Sequence, residues 1–264
     1  MACKQQPAHK GKLIIIGGGS RPESIISRII DESGLKTRGY GVVLPMSSST
    51  PDSSVYYAAE PFRKAGVTTL VGLHFKQGEP IDSKRIDSIR NARLIYITGG
   101  DQNLFMDVAA GTPIETAIAD AYHNGSVVAG TSAGAAVMCR QMITGNALRY
   151  PEYESTFSTL ETNNLEIKPG LGLMTNVLID QHFLIRSRYN RLLTGVIDFP
   201  TMKGIGIDES TAIVVSGDEA EVIGESQVVV VTNPKESKRE MGGKLAATGL
   251  TLTIYLPGDK FSTK

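Results

Sequence analysis

Short apolar runs alternate with amphipathic stretches through the first half of this chain, and that alternation leaves few architectures open. Lys12-Leu13-Ile14-Ile15-Ile16 reads as a strand. Pro22 to Ile30 follows as a helix, with Ile25, Ile26, Ile29 and Ile30 at helical spacing. Gly41-Val42-Val43-Leu44-Pro45 is a second strand, Val55 to Ala65 a helix, Val67-Thr68-Thr69-Leu70-Val71 a third strand and Ile81 to Asn91 a helix. Leu94-Ile95-Tyr96-Ile97-Thr98 is a fourth strand, Pro113 to His123 a helix and Val127 to Thr131 a fifth strand. This pattern predicts an α/β fold, a mostly parallel sheet sandwiched by helices. Beyond it, Tyr150 to Lys168 is polar and poorly periodic, which predicts a long loop or flap. Val177-Leu178-Ile179-Asp180 reads as a strand and Arg186 to Ile197 as a helix. Apolar runs at 204–209, 211–215, 221–224, 227–232 and 250–256 give a β-rich C-terminal extension, expected to add antiparallel strands at the sheet edge. No repeat or linker divides the chain, so residues 1–264 are expected to form one domain, with 1–11 a flexible tail.

In such a sheet, ligands gather beyond the carboxyl ends of the strands. Three motifs fall there: Gly17-Gly18-Gly19, Gly99-Gly100-Asp101-Gln102 and Gly130-Thr131-Ser132-Ala133-Gly134. The last is G-x-S-x-G between a strand and the helix-like Ala135-Ala136-Val137-Met138. Small neighbours let the backbone turn sharply and the serine oxygen stand clear, while the following N–H groups can meet an oxyanion. The plain alternative is an ordinary strand–turn–helix with small residues for packing.

A serine alcohol needs a base, and a histidine base is best held by a carboxylate. Of four histidines, His9 is in the tail, His74 follows the third strand and is the lesser candidate base, and His123 precedes the turn before Val127. His182, in Asp180-Gln181-His182, directly follows a strand and is expected on the same sheet edge as Ser132. Its carboxylate partner is Asp180, Asp208 or Glu209; Glu209 is favoured because the order Ser…His…Glu puts all three at strand ends. Gly99 and Gly100 can offer backbone N–H groups to a substrate oxygen, and Gln102 a hydrogen bond. Arg188 and Arg191 are i, i+3 neighbours on one helix face, with Arg186 before or at the helix start. Guanidinium groups so placed suit carboxylate recognition, although a solvated basic face is their commoner fate. Gly17-Gly18-Gly19-Ser20-Arg21-Pro22 fits neither G-x-G-x-x-G nor a P-loop, and reads as a crevice wall.

Lys+Arg and Asp+Glu are both 27, so nothing in the net charge points to nucleic acid or an anionic membrane surface. No apolar stretch is long enough to span a bilayer. Cys3 and Cys139 form neither a disulfide framework nor a metal-ligand spacing; both are expected as free thiols, Cys139 inside the helix after Ser132. The N-terminal residues lack the apolar core of a signal peptide, which makes a cytoplasmic setting the default, although Ala2-Cys3 also fits the remnant of a trimmed lipoprotein signal.

The GGG at Gly17, GGDQ at Gly99 to Gln102, GTSAGA at Gly130 to Ala135, DQHF at Asp180 to Phe183 with the arginines beyond, and GIGIDEST at Gly204 to Thr211 together resemble the cyanophycinases. These belong to the serine peptidase family that also holds the aspartyl dipeptidases, and the motifs run in the family's order over nearly the whole chain. The resemblance implies a class I glutamine amidotransferase-like (flavodoxin-like) fold, a homodimer, and no metal or cofactor. It implies a serine exopeptidase that hydrolyses cyanophycin, multi-L-arginyl-poly-L-aspartate, to β-aspartyl-arginine dipeptides through an acyl-enzyme. By position Ser132 is then the nucleophile, His182 the base and Glu209 its orienting acid. Gln102, Asp180, Gln181, Arg186, Arg188 and Arg191 hold substrate, and Gly99, Gly100 and Ala133 supply the oxyanion hole. An aspartyl or isoaspartyl dipeptidase, and a non-catalytic binding module on the same fold, are the alternatives. Tyr150 to Thr162 matches nothing in the family's pattern.

Overall fold

The computed structural model describes residues 11–152 and 154–264. The first half runs β1 (Leu13–Ile16), α1 (Glu23–Ser33), β2 (Gly41–Leu44), α2 (Pro51–Lys64), β3 (Leu70–Gly72), α3 (Ser83–Arg90), β4 (Leu94–Ile97), α4 (Gln102–Ala109), α5 (Pro113–His123) and β5 (Val127–Thr131). A short α6 (Ala133–Ala136), a hairpin of β6 (Gln141–Ala147) and β7 (Leu165–Pro169), β8 (Val177–Gln181) and α7 (Tyr189–Asp198) follow. The C-terminal part is β9 (Lys203–Ile207), β10 (Thr211–Ser216), β11 (Glu219–Gly224), β12 (Val228–Thr232), β13 (Arg239–Met241), β14 (Lys244–Ala246), β15 (Thr251–Tyr255) and β16 (Lys260–Ser262).

The main sheet has the order β16-β11-β10-β1-β5-β4-β2-β3. Its five first-half strands are parallel, and β10, β11 and β16 extend it antiparallel at one edge. Successive side chains of a strand point to opposite faces, so β1 divides between two cores. Ile14 and Ile16 pack with Ile25, Ile29 and Phe62 of α1 and α2. Leu13 and Ile15 face α3, α5 and α6. Strands buried on both sides are the expected counterpart of uninterrupted apolar runs.

A second sheet, β15-β12-β9-β8, is where the structure departs from the one-sheet expectation. Ile179, Ile205, Ile207, Val228 and Val230 belong to the same core as Leu13 and Ile15, so this sheet lies against the main one. Its other face, Val229 and Val231, is covered by Leu192 and Val196 of α7. His182 therefore follows a strand of the second sheet, not of the sheet that carries Ser132. The edge beside β1 is already taken by β10, which leaves β8 no partner there.

Other corrections are local. The Tyr150–Lys168 loop ends in β7, which pairs with the unforeseen β6. The helix after Ser132 stops at Ala136, so Cys139 lies beyond it, bridged to Met174. Gly11 is buried and donates its N–H to the Tyr122 carbonyl at 2.7 Å, so it is no part of a flexible tail. Cys3, His9 and the rest of the tail lie outside the described residues.

Candidate active site

The end of β1 organises the site. Three successive carbonyls accept three distant N–H groups: Ile16 from Ser132 at 3.0 Å, Gly17 from His182 at 2.8 Å and Gly18 from Ser210 at 2.9 Å. Residues from both sheets are thereby brought to one rim. The glycines are required by closeness. A β-carbon on Gly18 would stand 2.2 Å from the His182 ring, and one on Gly19 would stand 2.8 Å from Glu209 Oε2. The triple glycine is the bed on which the imidazole and the carboxylate lie.

Ser132 sits between β5 and α6 at φ 53° and ψ −111°, a left-handed conformation rare for a residue with a β-carbon. Its flanking glycines have no room for a side chain: Gly130 abuts the Gly134 carbonyl and Gly134 the Ile97 carbonyl. The turn leaves Ser132 half-buried with its hydroxyl 2.8 Å from His182 Nε2. His182 Nδ1 is 2.6 Å from Glu209 Oε1. Because a carboxylate can only accept, Nδ1 carries the proton and neutral Nε2 accepts from the serine. Burial holds the His182 pKa below the usual histidine value; Arg186 and Arg188 push the same way, and the Glu209 hydrogen bond opposes them. The ring is thus neutral and basic at neutral pH.

The other carboxylates weighed for this role are committed elsewhere. Asp208 accepts from the N–H groups of Leu184 and Ile185, at 3.0 Å each, and from Ser226 Oγ. Asp180 is fully buried and paired with Arg191, and Arg188 lies 3.6 Å from it. Unlike Arg188 and Arg191, Asp180 does not line the cavity beside Ser132, so the structure places it as an internal counter-charge and not at the expected substrate contact.

A cavity of about 240 Å³ opens beside Ser132, walled by Gly100, Gln102, Gln181, Arg186, Arg188 and Arg191. Ala133 begins α6, so its N–H points outward from a helix start beside the serine. Gly99 lies so near that an added β-carbon would be 3.9 Å from Ser132 Oγ. Asp101, Asn103, Thr144, Gly145 and Asn146 also line the cavity. Asp101 was visible within GGDQ; the β6 residues carried no signal, since Gln141 to Ala147 has neither strand alternation nor a chemical motif. A larger cleft, about 390 Å³, includes Leu13, His123 and Val177 and lies at the amino ends of the parallel strands, away from these groups. Among the described residues, no cluster of three His, Cys, Asp or Glu side chains is placed to hold a metal ion.

Comparison with known proteins identifies the family. A family model described as Peptidase family S51 matches residues 13–223. The chain is 32% identical over 268 residues to a cyanophycinase of Geminocystis herdmanii, covering 97% of this chain and 94% of the relative. It is 29% identical over 265 residues to a cyanophycinase of Nostoc sp., covering 96% and 86%. Its fold is similar to a peptidase from an acI-B1 Actinobacterium, with a TM-score of 0.70 and 21% identity over 97% of this chain and 98% of that one. With the matched residues holding every motif at the rim, the chain belongs to Peptidase family S51, as a serine-type peptidase similar to the cyanophycinases.

Proposed function

We propose that this protein is an exopeptidase that hydrolyses cyanophycin and releases β-aspartyl-arginine dipeptides. The observation that carries the reading is the Ser132–His182–Glu209 chain of hydrogen bonds, in a protein 32% identical to a cyanophycinase over 97% of its length. His182 Nε2 takes the Ser132 proton as Oγ attacks the carbonyl of a backbone amide between aspartyl units. Glu209 holds the imidazole in the required tautomer and stabilises the imidazolium. The Ala133 N–H and those of Gly99 or Gly100 take the developing oxyanion, and His182 returns the proton to the leaving amine. Water then hydrolyses the acyl-enzyme by the same route. Gln102, Gln181, Arg186, Arg188 and Arg191 form the binding wall, and Asp180 serves through Arg191. The fold is read as class I glutamine amidotransferase-like, the assembly as a homodimer and the setting as cytoplasmic.

Incubation with purified cyanophycin and mass analysis of the products tests this. The dipeptide is the expected product. Intact polymer, together with cleavage of short aspartyl dipeptides, would move the activity to the dipeptidase reading.

A further inference from the structure

Hydrogen-bonding groups around the cavity are of two kinds. The donors are the guanidinium groups of Arg186, Arg188 and Arg191. The acceptors include Asp101, Gln102 and Asn146, whose orientations are fixed by what surrounds them. Gln102 Nε2 donates to the carbonyls of Ile143, at 3.0 Å, and Thr144. Both neighbours are acceptors, so the amide nitrogen must face them and the oxygen must face away. Asn146 Nδ2 likewise donates to Glu166 Oε2 at 2.9 Å, a carboxylate oxygen also held by Thr144 Oγ1 at 2.6 Å. Asn146 Oδ1 is left as an acceptor. Asp101 uses Oδ1 on the backbone and side-chain N–H groups of Asn103, leaving Oδ2. Gln181, only 5% exposed, holds its Oε1 without a hydrogen-bond partner among the described residues. A buried acceptor in that state is costly until a donor arrives.

Charge follows the same division. Arg188 and Arg191 share the buried Asp180, whereas Arg186 has no carboxylate within ion-pair distance among the described residues. Asp101 is the one carboxylate on the described lining. Among the described residues, the cavity lining thus offers one cation without a carboxylate partner, Arg186, and one anion, Asp101, together with amide oxygens.

We propose that these acceptors form a guanidinium subsite, which takes the arginyl branch of a substrate unit while Arg186 takes that unit's free carboxylate. This rests on the cyanophycin reading above. It makes Asp101 and Asn146 substrate contacts, and Glu166 a positioning residue that aims Asn146. A guanidinium presents five N–H donors in a rigid plane and can meet several separated oxygens at once; an ammonium cannot span them.

Calorimetry on the Ser132→Ala protein, with β-aspartyl-arginine and its neutral isostere β-aspartyl-citrulline, tests the subsite without turnover. The parent is expected to prefer the arginyl dipeptide by about ten-fold or more. Asp101→Asn retains the cap on α4 yet loses the charge, and Asn146→Ala loses the acceptor; each is expected to cut the preference roughly three- to ten-fold. Glu166→Ala should do the same, and Glu166→Gln, which can still accept from Asn146, should restore it. General damage lowers both affinities together and leaves the ratio alone. Equal binding of the two dipeptides by the parent, or a ratio unmoved in both Asp101→Asn and Asn146→Ala, overturns the subsite. Turnover of cyanophycin by the Ser132 protein is followed in parallel; failure there removes the underlying reading, and is told apart by a calorimetric preference that persists.

Discussion

The strain at Ser132 and its proposed chemistry have opposite consequences for stability and rate. A non-glycine residue in such a conformation costs about 1–3 kcal/mol, and here the surrounding hydrogen bonds impose it. Ser132→Ala keeps the strain and removes the oxygen; turnover is expected to fall by at least about 10³-fold with little change in melting temperature. Ser132→Gly also removes the oxygen but suits the backbone, so it should melt above Ser132→Ala by thermal denaturation. Equal melting points would mean that the turn is not strained. The second residue-scale consequence concerns pH. His182 must be neutral to accept the serine proton, and its pKa lies below the usual histidine value. The acid limb of kcat/KM should therefore lie below that value as well. Arg186 contributes to the depression by disfavouring a second nearby cation. Removing that charge in Arg186→Met makes protonation easier, so the acid limb should move to higher pH as substrate binding weakens. A limb that moves downward would contradict the assigned role. Cys139 offers a contrast: burial pushes its thiol up to about 12, which makes it a poor nucleophile despite lying seven residues from the serine.

Strand β1 and its glycine tail act as a jig, because consecutive carbonyls fix three residues that are remote in the chain. Gly18→Ala tests this. The new methyl group would collide with the His182 ring, and the position has φ 121°, which alanine resists. Overpacking of this kind costs about 1–3 kcal/mol, and a displacement of about 1 Å at a reacting group can cost about 10²-fold in rate. We expect kcat to fall by that order while the protein stays folded, as read by circular dichroism and steady-state kinetics; full activity would show that the glycine is not needed. The triple glycine was visible in the sequence as a crevice wall, yet its role was not, since closeness to His182 and Glu209 depends on tertiary contacts with no local signature. The alternation of apolar runs and helices located the parallel strands well. It failed at β6 and β7, whose polar, bulged pairing lacks the two-residue period, and at α6, where small residues resemble a helix longer than the four that form one.

At the level of the whole molecule, the site exists because two sheets meet. Ser132 comes from one and His182 from the other, while Glu209 lies on the crossing from β9 to β10. Sequence spacing showed that all three follow strands; it did not show which sheet each strand joins, because β8 and β9 are as apolar as the strands of the main sheet. What stiffens the second half of the site is the buried pairing of Asp180 on β8 with Arg191 on α7, adjacent to Gln181 and His182. Such a pair contributes little beyond what an apolar pair of the same shape would give, but breaking one side strands a charge and costs about 3–5 kcal/mol. Asp180→Asn leaves two guanidinium groups without their counter-charge, so the melting temperature should drop by several degrees at the least. Arg191→Met on its own strands the carboxylate, though Arg188 nearby softens the loss. The double variant removes both charges and should lose markedly less than the sum of the two, by about 1 kcal/mol or more in a double-mutant cycle. The cycle thus measures directly whether the two elements are coupled through this pair. Strictly additive losses would mean that β8 and α7 are held by their apolar contacts alone, and that the carboxylate near His182 has no part in stiffening the second half of the rim.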